Sequence, residues 1–169
     1  MTDLIGINWI ATLVAAIVPM FIGFIWYHDK TFGNRWMKET GLDPAKLASG
    51  NMAIIFGSTF VLSFFLAFAM NFIVIHQWGI FGTLLSAPGL TTESEEYKTA
   101  QMLFQKYGTL YRSFKHGFLH GAISAITLAL PILGINALFE RKSWTYILIH
   151  LGFWIITLGI MGGIICGWM

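Results

Sequence analysis

Charge is what this sequence lacks most: Asp, Glu, Lys and Arg make up 11% of its 169 residues, against roughly 25% in an average soluble domain. With 56% hydrophobic residues as well, the chain cannot clothe a water-facing surface and must be solvated by lipid. Cysteine is equally scarce. Cys166 stands alone, which excludes an internal disulfide framework and a cysteine-rich metal site. A field of one sign is missing too, because ten basic and eight acidic residues leave a net charge of +2, and nucleic acid is not an expected partner. The sequence contains no phosphate-binding glycine loop, no Gly-x-Ser-x-Gly elbow and no His-Glu-x-x-His. No catalytic constellation is present, so the expectation is a protein that is not an enzyme.

The gaps between charges draw the topology. Asp, Glu, Lys and Arg are absent from Leu4 to Tyr27, from Gly50 to Thr92, from His116 to Phe139 and from Ser143 to Met169. A helix needs about 20 apolar residues to cross a hydrocarbon core of roughly 30 Å. The expected fold is therefore an all-α membrane protein of one domain, residues 1–169, with four transmembrane helices in an antiparallel bundle. The spans are placed at about residues 7–27, 52–78, 115–139 and 144–168. Gly79, Gly82, Pro88 and Gly89 are expected to break the second stretch after Trp78. Trp9, Trp26, Tyr27, Trp78, Trp144 and Trp168 fall near span ends, and Trp36 lies in the first loop. Amphipathic rings suit such interfacial anchor positions.

Loops one and three carry six basic residues (Lys30, Arg35, Lys38, Lys46, Arg141, Lys142), and loop two carries four (Lys98, Lys106, Arg112, Lys115). The excess favours loops one and three in the cytoplasm and both termini outside. Asp43-Pro44 reads as an N-cap followed by proline at the first helical position. Thr92 and Glu95 match a capping box. Tyr97, Ala100, Phe104, Tyr107 and Tyr111 then repeat at helical spacing, predicting an amphipathic extramembrane helix over about residues 93–111.

Small or polar residues form a row on one face of each span: Asn8, Thr12, Ala16, Pro19 and Gly23; Thr59, Ser63, Ala67 and Asn71; Gly117, Gly121, Ala125 and Ala129; Gly152, Gly159, Gly163 and Gly167. Such rows let helix backbones approach closely in lipid. The glycine row of span four is the longest, and it is read as a helix-packing or oligomer face. Pro19 and Pro131 are expected to kink their helices.

Five histidines are the strongest chemical candidates. His76 lies at the end of span two, and His116 and His120 begin span three on one helix face. His28 and His150 belong to the opposite side, on the order of 20 Å away in depth. His76, His116 and His120 are weak candidates for a metal or haem site. No carboxylate within the spans completes them, and water can satisfy His116 near the headgroups. The expectation is no bound metal, no haem and no other cofactor.

Several motifs occur together and in order: Asn8-Trp9, Gly23-x-x-Trp26-Tyr27, Phe32-Gly33-x-x-Trp36-Met37, His116-Gly117, Asn136-x-x-Phe139-Glu140-Arg141, Met161-Gly162-Gly163 and Gly167-Trp168. In this the whole chain resembles the bacterial membrane family of unknown function DUF1761, and its long loop two is most like members from Bacteroidota. The resemblance implies four spans in a bacterial inner membrane and carries no activity. The leading functional expectation is a non-enzymatic assembly or accessory protein, partnered by lipid and by copies of itself or another membrane protein. The alternative is a channel or carrier for a small neutral or amphipathic molecule, its path lined by Asn8, Thr12, Ser63, Asn71, Ser124 and Asn136. An ion-coupled carrier is not expected, because the spans contain no carboxylate or basic side chain.

Overall fold

Each of the four long helices starts on a short polar side chain that takes up a backbone N–H left free at the helix end. In the computed structural model, which describes residues 4–86 and 88–169, Asn8 caps α1 (Trp9–Trp26) and Asn51 caps α4 (Met52–Val74). Ser113 and Ser143 cap the third and fourth. Loop one folds into α2 (Gly33–Thr40) and α3 (Pro44–Ala48), the latter capped by Asp43 as the sequence predicted. Loop two holds α5 (Gln77–Leu84) and α6 (Glu95–Tyr107). The third long helix comprises α7 (Phe114–Ser124), a π-helical turn (Ala125–Ala129) and α8 (Leu130–Phe139). The fourth is α9 (Trp144–Gly167). The described residues are helical with no strand, and four helices of 18, 23, 26 and 24 residues are long and apolar enough to cross a membrane.

The π turn has a local cause. Pro131 offers no N–H, and its ring would press on the carbonyl one turn back. Widening that turn relieves the clash and leaves the span continuous.

α9 is the centre of the bundle. Half of its most apolar window is buried, against 33%, 11% and 17% for the other three. α7 lies on it backbone to backbone. A Cβ on Gly117 would collide with the Gly162 carbonyl, and one on Gly121 with the Leu158 carbonyl. The span-four row is filled from within the same chain. The Phe118 ring lies 2.7 Å from where a Cβ of Gly159 would stand, the Phe114 ring 2.6 Å from that of Gly163, the Phe114 amide nitrogen 2.8 Å from that of Gly167, and Trp26 2.8 Å from that of Gly152. These four glycines therefore pack against side chains and backbone of the same chain. Between α1 and α4 the buried Asn71 amide donates to the Thr12 hydroxyl at 3.2 Å.

The second span stops earlier than the sequence reading placed it. α4 ends at Val74, Ile75 is extended, and Gly79 and Gly82 lie inside α5 instead of breaking the chain. The Asn71 amide nitrogen also donates back along its own helix, to the Ala67 carbonyl at 3.0 Å and the Phe68 carbonyl at 3.3 Å. The expected helix over 93–111 is also shorter. Ser94, not Thr92, is its N-cap position, and the Ser94 hydroxyl accepts from the Thr91 amide in a turn. Tyr107 and Tyr111, counted in the apolar stripe, are exposed. α6 rests on α5 through Ala100 and its neighbours.

Candidate metal centre

Three separate elements deliver the histidines of the loop-two face. His116 and His120 project from the first two turns of α7, one residue before Gly117 and Gly121. Because those glycines sit flat on α9, the histidines turn away from it. His76 stands in the break between α4 and α5. The result is a cluster in which one nitrogen from each imidazole lies within 4.8 Å of the other two. His76 Nε2 and His116 Nε2 share a hydrogen bond of 2.9 Å, one ring donating and the other accepting. The ring centroids are 5.0, 4.8 and 4.5 Å apart for the pairs 76–116, 76–120 and 116–120.

These distances suit a small ion. A tetrahedral site with N–Zn bonds of 2.0–2.1 Å separates its ligand nitrogens by about 3.3 Å, so the 2.9 Å pair needs to open by only a few tenths of an ångström. A porphyrin has no slot between imidazoles packed this closely. The donor set is three neutral nitrogens, which suits zinc, copper, nickel or iron better than magnesium or calcium. His76 is exposed, His116 and His120 half-buried, so the site is reached from loop two.

The surrounding backbone is pinned. Buried Gln77, next to His76, donates from Nε2 to the carbonyls of Tyr107 at 2.9 Å and Leu110 at 3.0 Å. Arg112 Nε donates to the Cys166 carbonyl at 2.8 Å, fastening the turn to the C-terminal end of α9. The Cys166 thiol donates to the carbonyls of Val74 and Tyr111, both at 3.4 Å. Tyr111 takes φ +62°, a backbone conformation costly for a tyrosine, and its ring stacks on His116 at 5.2 Å. None of these contacts was visible in the sequence, where Gln77 and Arg112 carried no motif and Cys166 stood alone.

The other two histidines lie elsewhere. His150 Nδ1 pairs with the Tyr27 hydroxyl at 2.8 Å, and His28 Nδ1 accepts from the Lys30 amide at 3.1 Å. Among the aromatic anchors, Trp9, Trp144 and Trp168 are exposed at helix ends. Trp26, Tyr27 and Trp36 are committed to packing: Trp26 Nε1 donates to the Ile149 carbonyl at 3.1 Å, and Tyr27 sits between Trp36 and Phe153. The residues that could line a polar path are partly engaged already, Asn71 with Thr12, Thr12 with the Asn8 carbonyl and Ser124 with the His120 carbonyl.

The family described as a protein of unknown function (DUF1761) matches residues 10–166. No curated protein and no solved structure matches the chain.

Proposed function

The chain belongs to the DUF1761 family of proteins of unknown function, and on that premise we propose a role drawn from its own residues: a non-enzymatic multi-pass membrane protein that binds one transition-metal ion on its loop-two face. The observation that carries this reading is the convergence of His76, His116 and His120 to within 4.8 Å. The sequence argued against a metal because no carboxylate within the spans completes the three histidines and water can satisfy His116; the close approach of the three imidazoles supports the opposite reading. The bundle's part is to bring the three imidazoles to within 4.8 Å of one another, so that side-chain adjustment alone can close them on an ion.

Purified protein in mild detergent, dialysed against Zn2+ or Co2+ and desalted, should retain one equivalent by elemental analysis. His76→Ala and His120→Ala should each lose it while keeping the helical circular dichroism of the parent. Failure of the parent protein to retain any of these ions, or retention undiminished in His76→Ala/His120→Ala, overturns the reading.

A second reading, assembly with further copies or with another membrane protein, is favoured by α4. Only 11% of its most apolar window is buried by its own chain, and Gly57 has open space beside it. Cysteine cross-linking at Gly57 in native membranes tests it: a disulfide-linked dimer is expected, and its absence counts against assembly. We place the protein in a bacterial inner membrane, with loops one and three cytoplasmic.

A further inference from the structure

We infer that a metal held by this cluster keeps one coordination position open, and that the position faces a neighbouring groove which seats a small nitrogen- or oxygen-donor ligand with an apolar body. The inference rests on the metal-binding reading above and adds what the metal would be for. Tetrahedral sites closed by four protein ligands are structural, whereas three protein ligands leave a place for an exchangeable one. Here the protein supplies three. Among the described residues no fourth His, Cys, Asp or Glu joins the group, and the nearby thiol of Cys166 is fully buried and turned to two backbone carbonyls.

The groove begins at the cluster. Its volume is about 310 Å³, and its walls are His76, Gln77, Ile80, Tyr107, Leu110 and Tyr111. One ligand residue, His76, is thus part of the wall, and a second, His116, lies directly beneath the Tyr111 ring. The volume falls at the low end of the range for small-molecule sites, enough for a substituted heteroaromatic ring. Ile80, Leu110 and the two tyrosine rings offer contacts to an apolar body, and the metal supplies the one strong polar contact.

The groove is also built to keep its shape. Gln77 fastens both Tyr107 and Leu110 from the floor. The Tyr111 carbonyl is held by the Ser113 amide at 2.9 Å and by the Cys166 thiol. These contacts sustain the left-handed backbone at Tyr111 that lays its ring over His116.

The experiment uses the full-length protein loaded with Co2+, whose d–d absorption reports coordination directly. Adding 4-phenylimidazole, and separately azide, should shift the bands saturably with the cobalt remaining bound after desalting. The apolar-bodied ligand should bind about tenfold or more tightly than azide. Filling the groove with Leu110→Trp should weaken 4-phenylimidazole about tenfold and leave cobalt binding unchanged; Leu110 is 48% exposed, so the fold tolerates the change. Ile80→Trp serves as the second variant. Cobalt bound normally with bands that neither ligand moves, or a preference for azide that Leu110→Trp does not alter, overturns the open-position inference and leaves the metal site standing. Failure to bind cobalt at all overturns both.

Discussion

Replacing Gly121 by alanine should destabilise the bundle, although alanine is the better helix former. The added Cβ would stand 2.5 Å from the Leu158 carbonyl carbon, where carbon–carbon contact settles at about 3.5 Å or beyond. α7 and α9 must therefore separate by about 1 Å, because the obstruction is backbone and cannot swing aside. Overpacking of this kind costs about 1–3 kcal/mol, and the immovable partner places it near 3. The gain in helix propensity returns about 1 kcal/mol, leaving a net loss of about 2 kcal/mol. For a chain of this length that is a fall in Tm of about 4–8 °C. Two variants calibrate the reasoning. At Gly134 the nearest atom is a leucine methyl at 4.0 Å, so Gly134→Ala should raise Tm by about 2–4 °C. At Gly159 the obstruction is the Phe118 ring, which can turn, so Gly159→Ala should be close to neutral. Thermal unfolding of the three variants in one mild detergent, followed by circular dichroism, decides the matter. If Gly121→Ala melts at or above the parent temperature, the backbone contact between α7 and α9 does not exist as described.

Gln77→Leu should leave the fold intact but weaken metal binding about tenfold, as loss of supporting contacts around ligands does; equal affinity in a Co2+ titration would show that Gln77 does not position His76. Lowering the pH from 7.5 to 5 should release the metal, because protons compete for neutral imidazoles and the ligating form is the deprotonated one; retention at pH 5 would argue against histidine ligation. Cys166 should resist N-ethylmaleimide in the folded protein and react after SDS, since its thiol is buried and paired with two carbonyls; rapid labelling of the native protein would place it elsewhere. Cysteines introduced at Ser49 and Ser143 should label from one side of the membrane and one at Ser94 from the other, and any other pattern would refute the placement of the loops.

The sequence by itself determined the class of object. Four charge-free stretches, each long enough to cross a hydrocarbon core, require helices there, because a backbone in lipid must satisfy its own hydrogen bonds. Helix starts were legible where a polar residue combined with a strong second signal, as at Asp43-Pro44, and misleading at Thr92, whose match to a capping box stands two residues before the N-cap position Ser94. Rows of glycine announced close helix contacts, because only glycine lets backbones touch. They did not say with what, since a row that fits a second copy also fits a neighbouring span; in the structure Phe114 and Phe118 pack against Gly163 and Gly159 from within the chain. Which histidines belong together was legible: depth along the spans puts His76, His116 and His120 on the loop-two side, and helical spacing puts the last two on one face. How closely they meet was not, because the place of His76 depends on where α4 stops and on Gln77 fastening α5 to the 107–111 turn. Periodicity reports what lies along one helix. Which residues meet where helices end is decided by loop geometry and side-chain hydrogen bonds between segments distant in sequence, and only the tertiary structure contains those.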